Sequence, residues 1–463
     1  MFLAFPQILL IFSFQILVIM RANFGSKLGT IAATAGSAIG LGNIWRFPTE
    51  TAKGGGAAFL LIYLACVLFF ALPIILTEFT IGREGRANPP RSFVNLGGGN
   101  AFYFVGLLGV VVVSLITCFY MVVAGWTFEY LRLSIDAVFE TNTPLFSQPE
   151  QVFNDLLADP TRQTFWIIMT IVATATIVWF GVKKGIETAS KIMMPTLFAI
   201  LFIMFARAVS MPGAVEGLRY FFAPDFSAIN STVVLAAMGQ SFFSLSCGMS
   251  ILIVYSSYFS SKEKLIRTAS YVAIADTLVA VLAGTIIFCT AFAAGADTES
   301  LLKGGPGLIF VTLPSLFNAL PFGTIWAILF FVLLVLATLT SSISMFEGVL
   351  VYFSEELHIS RRKVIVVMSI IFIIANMVAA ISLSEENLQW VGRSVFDWLD
   401  YITAEWLMPI GSFFTCIFVG WFLDKQITTR SLGYNPWLVA IFLFFVRYIV
   451  PVGIFLILIA KFI

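Results

Sequence analysis

At 463 residues the chain is long enough for two or three soluble domains, but 60% of it is apolar and only 11% is charged. A soluble domain is nearer a quarter charged, so a chain of this composition lacks the polar surface to face water and must face lipid. A net charge of +1 offers nothing to nucleic acid. The five cysteines (Cys66, Cys118, Cys247, Cys289 and Cys416) all lie in apolar stretches. They imply no disulfide framework and read as small packed hydrophobes.

Residues 1–20, MFLAFPQILLIFSFQILVIM, are apolar and nearly long enough to span a bilayer. They lack the basic start and small-residue cleavage site of a signal peptide. A further span here would reverse the charge bias described below or need a six-residue connection. The favoured reading is an extension upstream of a true start at Met20, which opens a short basic, polar segment. Beyond it, apolar runs long enough to cross a membrane recur between polar breaks. They predict eleven helices at about 27–49, 56–81, 101–134, 164–182, 188–208, 228–256, 265–294, 322–356, 363–383, 395–422 and 436–460.

Lys and Arg in the connecting loops set the expected orientation. With the first helix starting in the cytoplasm, the inner loops carry Arg83, Arg86, Arg91, Lys183, Lys184, Lys262, Lys264, Arg361, Arg362, Lys425 and Arg430. The outer loops carry only Lys53, Arg162, Arg219, Lys303 and Arg393. The expectation is a multi-pass protein of the cell membrane, N-terminus inside and C-terminus outside.

Two spans are interrupted. The first contains Gly36-Ser-Ala-Ile-Gly40-Leu-Gly42-Asn43 and the sixth Gln240-Ser-Phe-Phe-Ser-Leu-Ser-Cys-Gly248-Met-Ser. Glycine weakens a helix and lets backbone approach a ligand, and Ser and Asn supply oxygens where backbone bonds are lost. Unwound backbone at membrane depth survives only inside protein or along a cavity. The competing reading is a Gly36/Gly40 GxxxG for close helix packing. Breaks in helices one and six, five helices apart, match a 5+5 inverted repeat (about 27–208 and 228–422, with 436–460 left over) and a site at the bilayer midplane. The chain from 21 to 463 then forms one transporter domain.

These residues carry a resemblance. GSKLGTIAATAGSAIGLGNIWRFPTETAKGGGAAFLLIY resembles the opening of the neurotransmitter:sodium symporter family in its bacterial amino-acid branch. GQSFFSLSCGMS resembles that family's sixth helix and ATLTSSIS its eighth. The likeness runs from about Arg21 to the C-terminus. It implies the leucine-transporter fold and sodium-coupled symport of a small hydrophobic or aromatic L-amino acid by alternating access.

The resemblance also implies sites. Sodium is a hard cation that takes oxygen ligands. One ion would use the backbone oxygen of Ala38, the amide of Asn43, Ser244, and Asp276 where the family often has Asn. A second would use backbone oxygens of Gly36, Ile39 and Ala337 with the hydroxyls of Thr340 and Ser341, although such hydroxyls commonly bond their own preceding carbonyls. Asp276 has an independent argument: an unpaired carboxylate in the apolar run TASYVAIADTLVAVLAG costs about 2.5–3.5 kcal/mol and needs a cation, a proton or a structural partner.

Animal members bind chloride with a serine where this chain has Ala280. Tyr63, Gln240 and Ser244 remain from that shell, and the Asp276 charge replaces the anion, so chloride is not required. Monoamine members place an aspartate at Gly40; glycine there leaves room for an amino acid's own carboxylate. Tyr120 and the amides of Leu41 and Gly42 would meet that carboxylate. Carbonyls of Ala38, Phe243 and Ser244 and the hydroxyl of Ser246 would meet the amine, with Ile116, Phe243, Met249, Ser341 and Met345 around the side chain.

Arg46 with Asp400 matches the family's outer gate. Arg21 with Glu355, near Phe24, matches the inner gate, though the family usually has Asp at the Glu355 position. Charges at helix ends are also commonly just solvated. A membrane enzyme would need a nucleophile with its base, a metal cluster or paired carboxylates, and the single histidine, His358, sits in a loop without such partners. A channel, a non-transporting amino-acid sensor and a symporter for another zwitterion are the remaining alternatives.

Overall fold

The computed structural model describes residues 22–140, 143–295, 307–384, 388–433 and 435–460. The apolar segment 1–20, Arg21 and Lys303 lie outside the described residues. Nine helices among these residues are long and apolar enough to cross a membrane: α3 (Ala57–Gly85), α5 (Gly99–Asp136), α8 (Pro160–Trp179), α9 (Val182–Val209), α13 (Leu265–Ala293), α15 (Gly323–Glu356), α16 (Arg361–Ile381), α17 (Val395–Phe422) and α19 (Pro436–Ile459). Two further membrane-length elements are broken pairs: α1 (Lys27–Ala38) with α2 (Phe47–Lys53), and α11 (Ser231–Ser244) with α12 (Ile251–Ser257). Shorter helices fill the connections: α4 (Pro89–Asn95), α6 (Pro144–Ser147), α7 (Pro149–Leu157), α10 (Ala214–Phe222), α14 (Leu308–Asn318) and α18 (Lys425–Leu432). Among the described residues the only bridges of strand type are two isolated pairs.

The ends of these helices are written in local chemistry. The Ser26 hydroxyl accepts from the Gly29 amide to start α1, Asp159 caps α8 ahead of Pro160, and Asn435 caps α19 ahead of Pro436. Ser394 and Asp397 form a reciprocal capping box at the start of α17. Each such cap satisfies amides that the first turn leaves without partners.

Burial separates an inner bundle from a lipid-facing shell: the hydrophobic window of α13 is 72% buried and that of α8 only 33%. Exposed Ile370, Ile371, Ile374 and Val378 mark the outer face of α16. The inner bundle instead buries polar groups, among them Glu78, Glu129, Asp276 and Glu347, each 1% exposed or less. Buried carboxylates must be partnered, and these organise the interior.

Candidate functional site

The two breaks face one another. α1 stops at Ala38 because Ile39 turns extended (φ −69, ψ 110), and the chain resumes as a π-helical turn at Gly42–Arg46. α11 stops at Ser244, and its break runs through Ser246 (φ 55), Gly248 (φ 82) and Ser250 (φ 58). Left-handed backbone is uncommon at non-glycine residues and gathers at functional sites. Gly248 is required there for a second reason: a Cβ would lie 2.2 Å from the Met408 carbonyl oxygen of α17.

Between the breaks lies a cavity with about 40 Å³ open to water-sized molecules. It is lined by Ser37, Ala38, Gly40, Leu41, Gly42, Ile116, Tyr120, Phe243, Ser244, Ser246, Met249, Ile251, Ser341 and Met345. All twelve residues expected around a substrate are in that wall; Ser37 and Ile251 were not anticipated. The GxxxG divides its labour. A Cβ on Gly36 would press on Met194 Sδ and Thr340 Cβ, both at 3.2 Å, so Gly36 serves packing. A Cβ on Gly40 would lie 2.8 Å from Ser341 Oγ and 3.5 Å from the Tyr120 hydroxyl, inside the cavity. The Tyr120 hydroxyl is buried beside Ser341 and the Leu41 amide, and its O–H has no acceptor.

Asn43, Ser244 and Asp276 meet at one end of the cavity, all fully or almost fully buried. Asn43 Nδ2 donates to Ser244 Oγ (2.9 Å), Asp276 Oδ1 (2.8 Å) and the Asp276 carbonyl (3.1 Å), while its Oδ1 accepts from the Gly40 amide (3.0 Å). Ser244 Oγ donates to Asp276 Oδ2 at 2.7 Å and the Tyr63 hydroxyl donates to the same atom at 3.3 Å. Gln240 Nε2 donates to the Gly42 carbonyl at 3.0 Å. Ala280, one helical turn from Asp276, is fully buried.

A second oxygen cluster joins the first break to α15. Ser341 Oγ donates to the Ile39 carbonyl at 3.3 Å, and Thr340 Oγ1 back-bonds to the carbonyls of Leu336 (3.1 Å) and Ala337 (3.0 Å). Thr340 thus makes the local bond that hydroxyls in helices favour. The cluster still gathers Ile39, Ala337, Thr340 and Ser341 beside Gly36. No group of three or more His, Cys, Asp or Glu side chains able to hold a metal ion occurs among the described residues. An ion held here would therefore be held mainly by neutral oxygens.

Arg46 lies over the half-buried Phe243 ring, 4.9 Å from its centroid. The acid within ion-pair distance of Arg46 is Glu405 at 3.7 Å, five residues beyond the expected partner Asp400, which also lies within the reach of that charge. The reason lies in α17, which is π-helical over Tyr401–Leu407. Hydrogen bonding from i to i+5 brings residues five apart onto nearly one face, so Glu405 follows Asp400 round to the Arg46 side.

At the opposite end Phe24 packs against Tyr255, Tyr258 and Phe259, and its amide donates to the Tyr258 carbonyl at 3.0 Å. The Gly25 amide and the Ser26 hydroxyl donate to Glu187 at 2.5 and 2.8 Å. Glu355 accepts from the Asn88 amide at 2.8 Å; its expected partner Arg21 lies outside the described residues.

Sequence reasoning missed the Glu78 carboxylate, which accepts from the Gly248 amide at 2.7 Å and so holds the second break. It also missed Glu347, which takes the Tyr258 hydroxyl (2.7 Å) and the Arg361 guanidinium. Both sit mid-helix in apolar runs, the signal that singled out Asp276.

The chain matches the model of the sodium:neurotransmitter symporter family over residues 21–142 and 150–463. It is 33% identical to a sodium-dependent transporter of Haemophilus influenzae over 95% of this chain and 98% of that one. It is 30% identical to the sodium-dependent transporter YhdH of Bacillus subtilis over 94% and 96% of the two chains. The crystal structure of MhsT in complex with L-phenylalanine superposes with a TM-score of 0.86 at 37% identity, covering 95% of this chain and 99% of that one. With its interrupted helices, its oxygen clusters and these relatives, the chain belongs to the sodium:neurotransmitter symporter family, whose members are sodium-coupled membrane transporters and not enzymes.

Proposed function

We propose that this protein carries a hydrophobic or aromatic L-amino acid into the cell with two sodium ions and without chloride. One observation carries the reading: the buried Tyr120 hydroxyl, whose O–H has no acceptor, shares a cavity wall with Gly40, whose missing side chain leaves space for a substrate carboxylate. An unsatisfied buried donor is costly, and a carboxylate would relieve it. Ile116, Phe243, Met249 and Met345 make the rest of that wall mainly apolar, and the two methionines adapt to differing shapes. The MhsT neighbour, solved with L-phenylalanine, supports the same class.

Asn43, Ser244 and Asp276 are the proposed ligands of the first ion, with the Ala38 carbonyl. Ligation requires the Asn43 amide to turn by about 180°, so that its oxygen replaces the nitrogen now on Asp276. The cluster of Gly36, Ile39, Ala337, Thr340 and Ser341 is the proposed second site. Asp276 supplies the negative charge that balances the ions, and Ala280 has no hydroxyl for an anion. Adding chloride would bring like charges together in a low-dielectric space.

The cavity has room for roughly three waters, so a substrate must widen it. Arg46 and Phe243 cover one side and Phe24 the other, the arrangement expected of alternating access in a single domain with inverted repeats. The Lys and Arg bias places the Phe24 end in the cytoplasm.

A thermal-shift screen of the twenty amino acids with and without sodium identifies the substrate, because ligand stabilisation follows affinity. Uptake into proteoliposomes tests the coupling: equal rates in sodium and potassium buffers overturn it. Saturable counterflow separates a transporter from a sensor or a channel. Replacing chloride by gluconate should leave uptake unchanged, and loss of most uptake removes Asp276 from its role.

A further inference from the structure

At the Phe24 end of the bundle, away from the substrate cavity, a groove of about 480 Å³ runs between the end of α3, the 258–264 loop with the start of α13, and α18. Its walls hold five cations: Arg83, Lys262, Lys264, Arg267 and Arg430. They are not equivalent. Arg83 is 6% exposed and donates to Glu84 Oε1 (2.9 and 3.0 Å) and to the Glu263 carbonyl (2.9 Å). Arg430 is also paired with Glu84, and the Ser431 hydroxyl donates to the same carboxylate at 3.1 Å. These two arginines are structural: Arg83 ties α3 to the 258–264 loop and Arg430 ties α18 to α3.

Lys262, Lys264 and Arg267 are exposed, and no acid pairs with them among the described residues. The acid on their own side, Glu263, is turned to the Thr268 hydroxyl at 2.6 Å. The groove also receives the start of α13. Lys264, its N-cap residue, makes no side-chain capping bond, and Leu265, Ile266 and Arg267 line the wall. The first amides of a long helix carry positive partial charge and favour an anion.

The surface below the groove says which anion. Arg267, Tyr271, Ile274 and Leu278 follow the spacing that shares one helical face. Arg267 is exposed, and Tyr271, Ile274 and Leu278 are 37%, 64% and 39% exposed. Arg267 Nε donates to the Tyr271 hydroxyl at 2.8 Å, which fixes the cation at the head of the stripe. Charge, then an aromatic hydroxyl, then bare aliphatic surface is the order met by a lipid with its phosphate in the groove and a chain along α13.

We propose that this groove is a headgroup site for an anionic phospholipid, held by Lys262, Lys264 and Arg267 at the start of α13. The leaflet, the cytoplasmic one, rests on the orientation proposed above. The affinity does not, so a wrong orientation would leave the binding measurement intact.

The test uses the purified, delipidated full chain titrated with phosphatidylglycerol, phosphatidylcholine, glycerol phosphate or inorganic phosphate, with bound lipid counted by native mass spectrometry. Phosphatidylglycerol should bind well ahead of phosphatidylcholine and of both soluble anions. Each cation near an anionic surface is worth about fivefold, so Lys262→Gln, Lys264→Gln and Arg267→Gln together should weaken phosphatidylglycerol binding about a hundredfold. Each single lysine variant should weaken it about fivefold, which keeps the test open should the triple variant fold poorly. An equal charge change elsewhere on the same end, Lys184→Gln with Arg362→Gln and Lys363→Gln, should leave it within about threefold of wild type. Equal binding of the two lipids overturns the proposal, as does an equal loss in the control triple. Soluble phosphate binding as tightly as phosphatidylglycerol would make this a free-anion site and overturn the lipid assignment.

Discussion

The two breaks differ in build. In the first, three residues separate α1 from the π-helical turn, Gly40 faces the cavity, and Asn43 points at Asp276 and Ser244. In the second, six residues separate the halves, and two serines adopt left-handed backbone. The Gly248 amide is tied to Glu78, and a Cβ there would strike the Met408 carbonyl of α17. The first break is open and polar toward the site, whereas the second is strained and anchored from behind. A site between helices needs both: one wall that exchanges partners and one that stays in place.

Substitutions can separate these roles. The largest effect should come from Asp276→Ala, which removes the acceptor of bonds from Asn43, Ser244 and Tyr63. Uptake at fixed sodium should fall about a hundredfold or more, the scale of breaking a buried charged cluster. Uptake that keeps its wild-type sodium dependence would sink the role of this carboxylate. Gly40→Ala should follow: its Cβ would lie 2.8 Å from Ser341 Oγ. Overpacking of this kind costs about 1–3 kcal/mol, so substrate affinity should drop about tenfold by titration, with sodium-induced stabilisation retained.

Glu78→Ala tests the second wall. It leaves the Gly248 amide without an acceptor and should destabilise the fold by about 1–3 kcal/mol in thermal unfolding. Sodium affinity should stay within about threefold, and a loss like that of Asp276→Ala would erase the distinction between the breaks. The smallest change is Ser250→Gly, which relieves φ 58. Stability should rise by up to ~1 kcal/mol with uptake unaltered. A fall in uptake would assign the strain to the transport cycle.

Much of this was legible because membrane spans are long and apolar. The predicted 395–422 coincides with α17, and the other described spans agree within four residues except at the start of α9, which begins at Val182 in a π-helical turn and not at 188. The breaks were legible because Gly, Ser and Asn cluster where an apolar helix should continue. The short helices were not: α14 is apolar but too short to span, and α18 is one polar turn after another. That residues 43, 244 and 276 converge has no signal in spacing, since the chain between them folds through several spans; only the family resemblance suggested it. The Arg46 partner depends on a π-helical turn in YITAEWL that periodicity does not announce. Glu78 and Glu347 carry the same signal as Asp276, a carboxylate within an apolar helix, but no motif accompanies them.

The Asn43 amide has a consequence for how long an ion stays. Its N–H groups sit on Asp276 and Ser244, an uncharged stand-in for positive charge. Sodium entering the proposed site replaces bonds that exist; it does not fill a frustrated hole. At the proposed site the gain on ligation would then be a difference between two satisfied arrangements, which suits a carrier that must let go on every turnover. A cage with bare, unmet oxygens would grip harder and turn over more slowly.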